Sequence, residues 1–197
     1  MTYPISVILL SAGLSRRMGA MNKLLLQVDG VSMVRRSAEL YRSMFSSVTV
    51  VTGFESDKIE KEFSGLDVTC VFNKDFETGQ QSSVRCGVDV LPLNNKGVLI
   101  ALADQSYLSK DDISQYVEAF IASPQDKVFV PYFDGIRGNP LLFPTKLVQQ
   151  MKAKGRTIAC RKFIDSNPLL TKVYQAPTCH FIADIDTPQD VRDYVLV

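Results

Sequence analysis

Between Leu10 and Leu26 the chain reads LSAGLSRRMGAMNKLLL, with Gly13 and Gly19 bracketing Arg16 and Arg17 and with Lys23 close behind. Small residues let a backbone approach a ligand, and successive N–H groups of a glycine-containing turn form a nest for an anion. Arg17 and Lys23 add positive charge where a triphosphate would lie. The spacing has no Gly-Lys-Ser/Thr and no GxGxxG, so it is neither a P-loop nor a dinucleotide fingerprint. A solvated connection between two elements remains open on these residues alone.

Carboxylates make a second set. Asp104 closes the apolar run GVLIALAD, an acid at the mouth of a buried strand, where a surface turn or an N-cap is the competing reading. In FIADID, alternation puts Asp184 and Asp186 on one face and Ile185 on the other. Thr187-Pro188 then suits an N-cap and first helical position, which leaves Asp190 to the helix start. A third segment, GQQSSV, sets Ser82 and Ser83 at a helix start, suited either to an anion or to plain capping.

The elements that must carry these groups follow from periodicity. Val7–Leu10, Val48–Thr52, Val68–Phe72, Val98–Leu102 and Val128–Pro131 are short apolar runs, too apolar throughout for half-exposed strands. Helical spacing lies between them at Met33–Phe45, Asp57–Phe63, Ser82–Leu91 and Lys110–Ala122. The second half adds strands at Leu141–Phe143, Thr171–Tyr174 and Phe181–Asp184, helices from Thr145 and Thr157, and a last helix from Pro188. This rhythm predicts one α/β domain over residues 1–197, Rossmann-like, with three α/β/α layers and a mostly parallel sheet. Ligands of such sheets sit beyond the strand carboxyl ends where strand order reverses. The loops after the first and fourth strands, from Ser11 and Asp104, are then the place for chemistry.

Composition narrows the partners. Of 197 residues, 22 are basic and 21 acidic, a balance that gives no footprint for nucleic acid. The apolar stretch at Val7–Leu10 is too short for a signal or membrane helix, so no membrane partner and a cytoplasmic location are expected. Cys70, Cys86, Cys160 and Cys179 form no CxxC pair and accompany a single histidine, His180, which argues for buried reduced thiols and against zinc.

The string Leu10, Gly13, Ser15, Arg17, Met18, Gly19, Lys23 resembles the signature of MobA-like nucleotidyltransferases. VTGF at Val51–Phe54, NKDFETGQQSSV at Asn73–Val84, GIRGNPLLF at Gly135–Phe143 and DIDTPQD at Asp184–Asp190 resemble further segments of the molybdenum cofactor cytidylyltransferase branch, in the right order. The resemblance implies a nucleotide-diphospho-sugar transferase type of fold. It also implies a magnesium-dependent enzyme that passes CMP from CTP to the phosphate of molybdopterin carrying molybdenum. A recipient molybdoenzyme would be a further partner. The same fold serves enzymes acting on sugar, alcohol or isoprenoid phosphates, and a silent nucleotide-binding or cofactor-delivery protein is the other alternative.

Residue by residue, the resemblance assigns Leu10, Ser11, Ala12, Gly13, Arg17, Lys23, Asn73 and Ser82 to the nucleotide. Lys23 would contact the α-phosphate and Arg17 the β- and γ-phosphates, and alanine at position 12 goes with cytosine. Gly79, Ser83, Gly138 and Asn139 fall to the acceptor. Asp104 and Asp186 fall to the metal, with Lys23, Arg17 and Asp104 as the catalytic set. Ser106 stands where the family has proline.

Overall fold

A computed structural model describes residues 2–15, 21–28, 30–155, 160–185 and 190. Arg17 and Asp186 lie outside the described residues, as do Met18, Gly19 and the Thr187-Pro188 pair. In chain order the strands are β1 (Tyr3–Leu10), β2 (Gln27–Val28), β3 (Val31–Ser32), β4 (Phe45–Thr52), β5 (Thr69–Phe72) and β6 (Gly97–Leu102). They continue as β7 (Val128–Phe133), β8 (Ile136–Arg137), β9 (Leu141–Pro144) and β10 (Thr171–Gln175). The helices are α1 (Met33–Met44), α2 (Ser56–Lys61), α3 (Gln80–Val90), α4 (Lys110–Ile121), α5 (Thr145–Ala153) and α6 (Cys160–Ser166).

One sheet runs β10-β7-β9-β6-β1-β4-β5, with β8 paired to β7. All pairings in it are parallel except those of β9, which runs against both β6 and β7, and that of β8, which runs against β7. Alternation sorts the side chains of the central strands between two cores. Ile5, Val7 and Leu9 of β1 with Leu99 and Ala101 of β6 meet Val34, Ala38 and Tyr41 of α1 and Ile113, Tyr116 and Phe120 of α4. Ile8, Leu10, Val98 and Ile100 face the other way, onto Val84 and Val88 of α3 and Val148 and Met151 of α5. Both faces of the sheet are therefore covered, which is why these strands read as unbroken apolar runs. The result is the expected α/β/α sandwich.

The chain proceeds from β1 to β4 and β5 on one side, then returns to lay β6 on the other side of β1. Leu10 pairs with Leu102 at the carboxyl ends of these two strands. The reversal of strand order thus falls between the loops that begin at Ser11 and Ala103, as the apolar pattern predicts.

Three expectations are corrected. Phe181–Asp184 is no strand: Cys179–Phe181 forms a 3-10 turn, Ile182 N–H closes on Cys179, and the Phe181 carbonyl accepts from Gln105 Nε2 and Asn139 N–H instead of a ladder partner. The alternation argument for Asp184 and Asp186 has no strand to rest on. Helix α3 begins at Gln80 with Gly79 at its cap, so Ser82 and Ser83 sit inside the first turn. Cys70 and Cys179 are exposed, on the edge strand β5 and a surface turn, and none of the four cysteines forms a disulfide.

Candidate active site

The loop after β1 is anchored before it becomes a binding surface. Ser11 donates both its N–H and its hydroxyl to the Val51 carbonyl, each at 2.9 Å, and Phe54 N–H reaches the Ala12 carbonyl. Gly13 follows in the open. A Cβ there would meet no atom of the described residues within 4 Å, and its backbone is not left-handed. Neither packing nor conformation calls for glycine at this point, which leaves close approach of a ligand as its use.

Lys23 is fixed from two directions. The Asn22 side chain caps the 3-10 turn Lys23–Leu25 by accepting from Leu24 N–H at 3.2 Å. The Ser15 hydroxyl accepts from Lys23 N–H at 3.2 Å and approaches Asn22 Oδ1 at 3.3 Å, so residues 15 and 23 are tied together. Lys23 Nζ then lies 2.6 Å from Asp104 Oδ2, with only 12% and 20% of the two side chains exposed. Asp104 follows β6, whose end is held by Ser37 of α1, donating to the Ala103 carbonyl at 3.0 Å.

The other Asp104 oxygen, Oδ1, is buried without a hydrogen-bond partner. A carboxylate with one oxygen ion-paired and one orphaned is an incomplete electrostatic unit. No group of three or more His, Cys, Asp or Glu suited to a metal exists among the described residues. Magnesium does not require one, since it commonly takes one or two carboxylates and completes its shell with waters and substrate phosphates. The donor set fits such an ion. Ile185 N–H bonds the Asp104 carbonyl at 3.2 Å, which brings the 181–185 segment alongside.

Around this pair lies a cleft of about 560 Å³ lined by Leu10, Ala12, Gly13, Lys23, Asp104 and Gly79 among others. It unites the predicted nucleotide loop, lysine and carboxylate with one acceptor-side residue. Leu14, Ser15, Leu24, Phe76, Glu77, Gln80 and Leu102 complete it and were given no role from sequence. Phe76 and Glu77 belong to a three-residue 3-10 turn, too short to leave a periodic signal.

Asn73, Ser82 and Ser83 are placed differently. Buried Asn73 donates to the Ser82 and Ser83 hydroxyls at 2.9 and 3.0 Å and accepts from Asp75 N–H, while Ser82 donates to the Asp75 and Gly79 carbonyls. Asn73 and Ser82 face a depression on the far side of the 73–79 turn and not the main cleft. Their bonds brace the turn that presents Gly79, at φ +112°, and the start of α3, which has no side-chain cap. Uncapped N–H groups at a helix start favour an anion.

Gly138 and Asn139 stand outside the cleft lining. Asn139 N–H and Gln105 Nε2 share the Phe181 carbonyl at 2.9 and 3.1 Å, and any Cβ on Gly138 would collide with that same carbonyl. The loop before β9 is thereby locked to the residue that follows Asp104. Arg137 pairs with the Asp165 carboxylate at 2.6 Å and donates to the Tyr132 hydroxyl at 3.3 Å. No helix of the described residues is long and apolar enough to cross a membrane.

A family model described as the MobA-like NTP transferase domain matches residues 7–184. Among solved structures, a nucleotidyl transferase from Methanothermobacter thermautotroptrophicus is similar over 98% of this chain and 97% of its own, at 20% identity and TM-score 0.79. Rv0371C from Mycobacterium tuberculosis, in complex with manganese, is similar over the whole of both chains at 16% identity and TM-score 0.76. The 2-C-methyl-D-erythritol 4-phosphate cytidylyltransferase of Thermus thermophilus covers 100% of this chain and 98% of its own, at 16% identity and TM-score 0.72. At these identities the likeness is one of fold. No curated protein gives a significant match by sequence alone.

Proposed function

The chain belongs to the MobA-like NTP transferase domain family, and from that premise we propose that it transfers CMP from CTP to the phosphate of molybdopterin carrying molybdenum, in the cytoplasm, with magnesium. The observation that carries the reading is the Lys23–Asp104 pair, half-satisfied on the carboxylate side, inside the cleft of the glycine loop. Such a pair supplies a cation for phosphate oxygens and a carboxylate for a metal at one point.

In the reaction an acceptor phosphate oxygen attacks the α-phosphorus of CTP. The bond to the bridging oxygen breaks, and pyrophosphate leaves. Transfers of this kind depend on positioning and charge neutralisation more than on covalent chemistry. A bound magnesium, held by Asp104 and in our proposal by Asp186, would neutralise phosphate charge. Lys23 stabilises the charge gathering on the α-phosphate, and Arg17 holds the β- and γ-phosphates. Leu10, Ser11, Ala12 and Gly13 line the nucleoside. Gly79 and the start of α3 face it across the cleft, held by Asn73, Ser82 and Ser83. Gly138 and Asn139 shape the acceptor side through Phe181 and Gln105.

The test is pyrophosphate release by purified protein offered CTP, GTP, ATP and UTP with molybdopterin carrying molybdenum and with sugar, alcohol and isoprenoid phosphates. CTP with the pterin should be the productive pair. Transfer to 2-C-methyl-D-erythritol 4-phosphate with none to the pterin would overturn the acceptor. No release with any pair would overturn the enzyme.

A further inference from the structure

The cleft that holds Lys23 and Asp104 is also lined by Ala12, Phe76, Glu77 and Gln80. Phe76 is half-buried, yet neither layer of the core takes up its ring. What holds it is Gly53, just past β4. A Cβ on Gly53 would stand 2.7 Å from the Phe76 Cβ, 2.8 Å from its Cγ and 2.8 Å from the Ala12 Cβ.

The Gly53 backbone is not left-handed, so other residues fit its conformation and only space demands glycine. Hydrogen bonds fix both neighbours to the same stretch of chain: Phe54 N–H to the Ala12 carbonyl, and Asn73 N–H to the Thr52 carbonyl at the head of the Phe76 turn. The missing side chain at 53 thus lets an aromatic ring and a methyl group close on one point of the cleft wall.

We propose that Phe76 is a specificity-determining residue, its ring and the Ala12 methyl setting the width of the base subsite, with Gly53 as the positioning residue that sets their separation. The inference rests on the nucleotidyl-transfer reading and adds the residue that selects a pyrimidine over a purine. A nucleotide whose phosphates meet Lys23 would lay its planar base against Phe76, since both side chains line the same cleft. Base–aromatic stacking together with a narrowed wall makes the ring worth roughly tenfold in affinity.

The experiment measures binding of the inert α,β-methylene analogues of CTP and GTP by calorimetry. Phe76→Ala should weaken the CTP analogue about tenfold and spare the GTP analogue, narrowing the ratio between them. Gly53→Ala should weaken the CTP analogue in the wild-type background and cost less in Phe76→Ala, where the clash with the ring is gone and only those with the two Cβ atoms remain. Additive losses would remove Gly53 from the mechanism. If Gly53→Ala does not fold, Phe76→Ala decides alone: an unchanged ratio overturns the proposal. Wild-type protein that binds neither analogue would defeat the nucleotidyl-transfer reading itself, a result distinct from binding with an unmoved ratio.

Discussion

Replacing Lys23 with methionine keeps the length of the side chain and removes its charge, which leaves Asp104 with neither oxygen paired to that ammonium. Removing one partner of a fully buried ion pair costs about 3–5 kcal/mol, most of it the penalty of the charge left behind. With 12% and 20% of these two side chains exposed, water recovers part of that, and about 2 kcal/mol remains. For a domain of this size the melting temperature should fall by about 4–8 °C in chelator. Magnesium or manganese should return much of the loss to the variant and shift the wild type less, because in the wild type the ion competes with the ammonium for Asp104. Turnover should drop about a hundredfold or more even with saturating metal, since a preorganised cation at the transition state is gone. Lys23→Met combined with Asp104→Asn should melt near the wild type, as both charges are then absent. Differential scanning calorimetry with and without metal, beside a pyrophosphate assay, reads all of these. An identical metal shift in wild type and Lys23→Met, or undiminished turnover, would refute the argument.

Three further outcomes are expected. Gly13→Ala should leave the melting temperature within about 2 °C, because its Cβ meets no atom of the described residues, yet raise the KM for CTP; an unchanged KM would take Gly13 out of the site. Gly138→Ala should destabilise by about 1–3 kcal/mol through its collision with the Phe181 carbonyl, seen as a lower urea midpoint; a neutral result would show that the 181 turn yields easily. Burial works to raise the Asp112 pKa, but hydrogen bonds from Ser109, His180 and Thr178 outweigh it and hold the group below its ordinary 3.8. Its contribution to stability is therefore complete above that value and is lost as pH falls through the lowered one. Thr178→Val should lessen the difference between melting temperatures at neutral pH and near pH 3, and an equal difference would exclude the carboxylate as a source of acid sensitivity.

The sandwich was legible because a sheet covered on both faces leaves no polar alternation, so each strand announces itself as an apolar run. Asp104 was legible for the same reason, as the first charge after such a run. FIADI misled because its alternation is real while its backbone is committed elsewhere: the Phe181 carbonyl serves Gln105 and Asn139, partners distant in sequence. The short hairpin β2–β3 and the reversed course of β9 escaped because two- and four-residue strands carry no periodicity of their own. Nor did any residue pattern mark Phe76 as part of the cleft. Its place there depends on a hydrogen atom at Gly53, a contact that exists only once β1 and β4 lie side by side.

The reversed strand β9 divides the active edge into two kinds of construction. After β1, β5 and β6 the chain crosses back through helices α1, α3 and α4, whose lengths are dictated by the span of the sheet. After β7 it turns through β8 and comes back as β9, and the next helix, α5, starts at the opposite edge. A helical crossover resists insertion, whereas a surface turn accepts residues at a cost of only about 0.6 kcal/mol for each doubling of its length. Under the proposed function, the side assigned to the acceptor is thus the more tolerant of added residues, and the side assigned to the nucleotide the less. Within the turn between β7 and β9, Gly138 and Asn139 are held against Phe181, so added residues are best accepted near Gly135, at its outer end.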